Sequence, residues 1–177
     1  NTRVLTLPDT ENGTVLTTTN PRAGNIIQVA NYSTSSEVSS TSTSYVDTGL
    51  SGSITPTSSS SKILVIVSQQ LRIIRTSSQA FGGVQILRDS TVIETGPNTS
   101  SGSEPFGLGG VNDGCSNIER YLVYNRIYLD SPSTTSGTTY KTQMAVVTSQ
   151  NSAQIRAQYQ ANGENGSSYL TLMEIAV

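Results

Sequence analysis

Lys62-Ile63-Leu64-Val65-Ile66-Val67-Ser68-Gln69-Gln70-Leu71-Arg72-Ile73-Ile74 is the stretch on which the reading of this chain turns. Its opening run, Ile63 to Val67, is apolar on both faces of an extended strand, and such a strand belongs in the middle of a covered sheet. On either side of it, short apolar runs recur with turn chemistry between them, the pattern of a sandwich or barrel rather than of βαβ units. The runs predict about ten strands: Ile26 to Tyr32, Thr43 to Val46, Leu50 to Thr55, Lys62 to Ile74, Val84 to Arg88, Thr91 to Glu94, Tyr121 to Leu129, Thr139 to Thr148, Ala153 to Gln160 and Ser168 to Ala176. Asp89-Ser90 reads as a tight hairpin turn, and Asn162-Gly163 with Asn165-Gly166 as a further connection.

Two strands carry information about their surroundings. Along Thr139 to Thr148, Tyr140, Thr142, Met144 and Val146 alternate with mostly polar residues, so one face is apolar and the other can meet water or a neighbouring subunit. Tyr121 to Leu129 puts Val123, Ile127 and Leu129 on one face and Leu122, Tyr124 and Tyr128 on the other. Both faces want cover, and a symmetric neighbour is the simplest source for the second; the alternative is a loop or the N-terminal segment folded over it.

That segment, residues 1–25, reads as two short extended pieces, Arg3 to Leu7 and Thr14 to Thr18, divided by Pro8-Asp9 and Asn12-Gly13 and closed by Asn20-Pro21. Pieces so short and polar need partner chains or the following domain. The chain is therefore expected to hold the end of a stalk, residues 1–25, and one β-sandwich head, residues 26–177. It begins with Asn1 rather than Met, as a fragment would, and Asn1-Thr2-Arg3-Val4 is no signal peptide.

Composition supports the same picture. Apolar residues make up 34%, and about 38% with glycine counted in place of tyrosine, against roughly 45–50% for an ordinary domain. Only 12% of residues are charged, so the lean core is not opposed by strong self-repulsion, and the shortfall suggests burial between chains. Ser and Thr stand where Lys and Glu are usual, favouring turns and wet strand faces over helices. A net charge of -2 supplies no basic field for nucleic acid or anionic lipid.

The chain has no histidine, which excludes Ser-His and Cys-His nucleophiles and the usual His-based zinc and iron sites. A single cysteine, Cys115, forbids an internal disulfide. No cofactor and no metal are expected.

Glu37-Val38-Ser39-Ser40, Tyr45-Val46-Asp47-Thr48-Gly49-Leu50, Ile54-Thr55-Pro56, Ser60-Ser61-Lys62-Ile63-Leu64-Val65, Leu129-Asp130-Ser131-Pro132, Thr139-Tyr140-Lys141-Thr142-Gln143 and the ending Leu170-Thr171-Leu172-Met173-Glu174-Ile175-Ala176 come in an order that spans most of residues 26–177. Together they resemble the C-terminal domain of tail-fibre and virion-associated proteins of bacteriophages, many of them marine or cyanobacterial. Arg3-Val4-Leu5-Thr6-Leu7-Pro8-Asp9 with Gly13-Thr14-Val15-Leu16 is similar to segments of phage fibre shafts. The resemblance implies a homotrimeric adhesin with a jelly-roll-like antiparallel β-sandwich head. It would be joined to other virion fibre segments and bind a bacterial surface glycan or outer-surface protein.

No block of that resemblance lies between Gly96 and Ile118, a Gly-rich stretch too long for a plain connection, and long loops are usually functional. Its amides and carboxylates, with Phe106 for stacking, are equipment for holding a sugar, so Asn98, Glu104, Phe106, Asn112 and Asp113 are the candidate receptor-binding residues. Gly107-Leu108-Gly109-Gly110 lacks the strand and helix that a dinucleotide loop requires. Glu104, Asp113 and Glu119 are read as solvated charge, because general acid–base work needs two carboxylates held at a fixed separation. Asp113 with Asn112 and Asn117 is an unpatterned set for calcium, and Tyr124 and Tyr128 are read as packing residues. The leading expectation is a non-enzymatic tail-fibre tip. Its rivals are a capsid or head-fibre decorating protein and a polysaccharide depolymerase domain.

Overall fold

The computed structural model describes residues 21–75, 80–95, 108–111, 118–146, 153–161 and 164–177. Among them are thirteen strands and no helix. In chain order these are β1 (Ile26–Thr34), β2 (Val38–Ser40), β3 (Val46–Ile54), β4 (Lys62–Arg75), β5 (Ala80–Arg88), β6 (Thr91–Thr95) and β7 (Leu108–Val111). They continue with β8 (Ile118–Asp130), β9 (Thr138–Val146), β10 (Gln154–Ala157), β11 (Gln160–Ala161), β12 (Glu164–Asn165) and β13 (Ser168–Ile175).

Two antiparallel sheets face each other. The six-stranded sheet runs β1-β13-β4-β10-β2 with β8 on the other side of β4, and the five-stranded sheet runs β3-β9-β5-β6 with β7 beside β5. Sequence neighbours such as β3 and β4, or β8 and β9, lie in opposite sheets, the winding of a jelly-roll-like sandwich. β4 is the central strand, as its doubly apolar sequence predicts. Ile63, Val65, Val67, Leu71 and Ile73 point inward and meet Val84, Ile86, Tyr140 and Met144 of the other sheet and Leu170 and Leu172 of its own. Tyr124 is buried in this core and Tyr128 packs against it, in line with the packing role expected of both.

β4 changes partner halfway along. Lys62 to Ser68 pair with β13, whereas Leu71 to Ile74 pair with β10, leaving Gln69 and Gln70 at the junction. Gln158, buried and in the left-handed region at φ 50, closes this gap: its amide nitrogen bonds to the Gln70 carbonyl at 3.1 Å. Its side-chain nitrogen donates to the carbonyls of Thr48 and Ser36, and its side-chain oxygen accepts from Gln69 Nε2 and Ser168 Oγ. Gln69, through its side-chain nitrogen, and Gln70, through its backbone carbonyl, are thus the partners of a buried polar plug.

Several elements depart from the predicted bounds. Thr43 to Tyr45 are not strand, because Ser42 N and Ser44 N bond to the hydroxyls of Ser40 and Ser42 instead of a neighbouring strand. β2 escaped notice for its three polar-flanked residues. β5 starts at Ala80, running through Gly82-Gly83, which read as a break; a Cβ on Gly83 would lie 2.6 Å from the Tyr45 hydroxyl, so glycine there admits Tyr45. The strand predicted over Ala153 to Gln160 ends at Ala157, before the left-handed Gln158. The stretch Gly96 to Asn117, read as one loop, contains β7, which pairs with β5 at Ala80↔Val111 and Gly82↔Leu108. The Asp89-Ser90 turn is present, with Asp89 at φ 53.

Two buried carboxylates tie the sandwich together at its ends. Asp130 accepts from Arg88 Nη1 at 2.8 and 2.9 Å and from the Tyr140 hydroxyl at 2.7 Å, linking β8 to both β5 and β9. Glu174 accepts from Gln28 Nε2 at 2.6 Å and from the Thr57 amide and hydroxyl at 2.7 Å each. Burial pushes the Glu174 carboxyl up, but the hydrogen bonds from Gln28 and Thr57 outweigh it and hold the group below its usual 4.5. A depressed folded-state pKa means that this contribution is complete above about pH 4.5 and is lost as pH falls through the folded value. Thermal melting is therefore expected to hold level from neutral pH to about 5 and to drop below 4.5, with a shallower drop in Glu174→Gln. Equal acid slopes in the two proteins would remove Glu174 from this role.

Candidate assembly interface

The outer face of the six-stranded sheet is built from the outward phase of its strands, in transverse rows. Val29, Met173, Leu64 and Leu129 form one row across β1, β13, β4 and β8. Asn31, Thr171, Ile66 and Ile127 form the next, and Ser33, Tyr169, Ser68 and Asn125 the one after. None of these twelve residues is charged. Ile127 is 70% exposed, Val29 51%, Leu129 48% and Tyr169 55%, and Val123, further along β8, is 61% exposed. The predicted division of β8 holds, with Val123, Ile127 and Leu129 outward and Leu122, Tyr124 and Tyr128 inward.

Strands lie about 4.8 Å apart and rise about 3.4 Å per residue, so these three rows across four strands present on the order of 300 Å² of flat area. Seven of the twelve residues are apolar or aromatic, and surface patches of a few hundred Å² are often functional. β8 adds a second liability, since among the described strands it pairs with β4 alone and leaves a long edge beside this face.

Beyond Val123 the same face changes character. Ser39, Arg156, Arg72 and Tyr121 make one row across β2, β10, β4 and β8, and the segment after β10 lays Tyr159 over it. The Arg72 guanidinium carbon sits 3.8 Å from the Tyr159 ring centroid and 5.6 Å from that of Tyr121. Arg72 also pairs with Glu119, and Arg156 with Glu37 at 3.0 Å. Pattern reading passed over Arg72, Arg156 and Tyr159; the one signal was a cation on the outward phase of an otherwise apolar strand.

The five-stranded sheet carries a shallow groove of about 430 Å³ lined by Asp47, Ser51, Asp89 and Lys141 among others. Its carboxylates are engaged by the protein itself: Asp47 by Lys141 Nζ at 2.9 Å and Gln143 Nε2 at 2.7 Å, and Asp89 by the Thr139 amide at 2.9 Å. Among the described residues no group of three or more His, Cys, Asp or Glu is placed to hold a metal ion, and no helix is long and apolar enough to cross a membrane. The receptor-binding candidates Asn98, Glu104, Phe106, Asn112 and Asp113 lie outside the described residues, as do Cys115 and Asn117. Glu119 is described, and it partners Arg72 rather than a second carboxylate.

No protein-family model matches the chain, and no curated protein is detectably similar to it. Among solved structures, it is similar to a chain of the infectious bursal disease virus Gx strain, with 12% identity and a TM-score of 0.36 over 99% of this chain and 41% of that one. A chain from T=1 particles derived from the same virus gives 11% identity and a TM-score of 0.37, again over 99% of this chain and 41% of the other. The chain thus spans about two fifths of the length of those viral chains, and at these scores its function must be argued from its own residues.

Proposed function

We propose that this chain is a non-enzymatic attachment protein of a virion, the tip of a bacteriophage tail fibre, which works as a homotrimer closed through the uncharged half of the six-stranded sheet. The observation that carries the assembly is the row Val29, Met173, Leu64 and Leu129 with Ile66 and Ile127 beside it, an apolar patch in which Val29, Ile127 and Leu129 stand about half exposed or more. A standard interface takes roughly 800 Å² from each partner; the three rows supply on the order of a third of that, and exposed Val123 and the open edge of β8 adjoin them. Because its rows hold no charge, copies of it meet without repulsion or unpaired ions. The number three and the place on a tail fibre rest on the family resemblance. Multivalency then gives weak receptor contacts useful strength, since rigidly joined copies raise each other's effective concentration.

Gold-labelled antibody against the chain, applied to intact particles, is expected at the tips of tail fibres, and fluorescent protein is expected to coat cells of the host. Gold over the head with no coating of cells would instead mark a capsid-decorating protein.

A further inference from the structure

The tyrosine-lined end of the same sheet face has features that assembly does not use. Arg72 points outward yet is only 6% exposed, because Tyr159 and Tyr121 cover it. Its Nε is buried and has no acceptor among the described residues. The two rings stand 5.8 Å apart at 56°, an open corner rather than a stack, and Tyr121 is 57% exposed. Tyr159 is held in place by the buried, left-handed Gln158 before it and by Gln160 after it, whose amide donates to Glu37 Oε2 at 2.9 Å. The corner is therefore pre-formed, and a ligand would spend little free energy ordering it.

From these observations we infer that the corner formed by Tyr121 and Tyr159 over Arg72 binds a neutral saccharide, one or two sugar rings at a time. This rests on the attachment reading above and names the class of receptor. The chemistry selects the ligand in three steps. Each guanidinium already faces one carboxylate, Arg72 with Glu119 and Arg156 with Glu37, so no surplus charge is left for a phosphate or an acidic polymer. Two tyrosine rings offer far less area than a protein interface, which suits a small ligand. Tilted aromatic faces beside polar groups match a molecule with an apolar C–H face and a hydroxyl rim, with Glu119, beside Tyr121, at hand as an acceptor. A hydroxyl entering between the rings also gives the orphaned Arg72 Nε its missing acceptor.

The test is an array of neutral hexose and N-acetylhexosamine oligosaccharides, with phosphorylated counterparts, probed with the assembled wild-type protein and with Tyr159→Ala, Tyr159→Phe and Tyr121→Ala. The wild type is expected to bind neutral members, Tyr159→Ala and Tyr121→Ala to lose at least tenfold, and Tyr159→Phe to bind as wild type because the ring does the stacking. Tyr121 is exposed, so its variant reports on binding even where Tyr159→Ala fails to fold. Undiminished binding in Tyr121→Ala and a folded Tyr159→Ala would overturn this site while leaving attachment intact. So would a protein that coats cells, binds no oligosaccharide and loses the coat when the cells are treated with protease. Failure to coat any cell and to bind any sugar would overturn both readings.

Discussion

Ile127→Glu is expected to convert the proposed trimer to single chains without unfolding them. Ile127 is 70% exposed in one chain, and substitutions at such positions usually move folding stability by no more than about 0.5 kcal/mol. In the assembly the same position lies between apolar neighbours, Ile66 across the strand and Leu129 along it. An ionised carboxylate there has no partner, and burying it in each copy costs several kcal/mol, enough to weaken association by about a thousandfold or more. Light scattering after size-exclusion chromatography reads the mass and circular dichroism reads the fold. Val92→Glu, at an exposed position on β6 of the other sheet, is the control and should stay assembled. A fully assembled Ile127→Glu protein would move the interface elsewhere.

The largest loss of folding stability is expected from Asp130→Ala. Asp130 is buried, and its removal strands the Tyr140 hydroxyl inside the core and leaves Arg88 without its carboxylate. Burial, with help from Asp130, pushes the Tyr140 hydroxyl well above the usual tyrosine range, so it is the neutral donor that loses its acceptor. Breaking a buried, hydrogen-bonded pair on one side costs about 3–5 kcal/mol, and a value near the lower end fits here because Arg88 keeps some contact with water. Urea denaturation checks this. Asp130→Asn, which keeps one acceptor for Tyr140, should lose less than half as much, and equal losses would show that volume rather than hydrogen bonding is what Asp130 supplies.

Much of the architecture was legible because period and polarity agreed along single strands. β4, β8, β9 and β13 announce themselves through runs or alternations long enough to outweigh local noise, and the inward and outward residues of β8 and β9 follow directly from the period of two. What escaped depends on contacts distant in sequence. Gly82 and Gly83 read as a break because nothing local reveals that Tyr45 needs the space, and nothing local marks Gln69 and Gln70 as partners of Gln158, some ninety residues away. The same limit hid the tyrosine corner. Arg72, Tyr121 and Tyr159 come together only through the pairing of β4 with β8 and the left-handed turn at Gln158. The glycine-rich stretch from Gly96 to Asn117, by contrast, is conspicuous from composition alone.

In the proposed assembly the uncharged half of the six-stranded sheet's outer face is covered by other copies of the same chain. Native mass spectrometry of the protein at micromolar concentration tests it most directly. A dominant species of three times the single-chain mass is expected, and a dominant single-chain mass in the same sample would rule the assembly out.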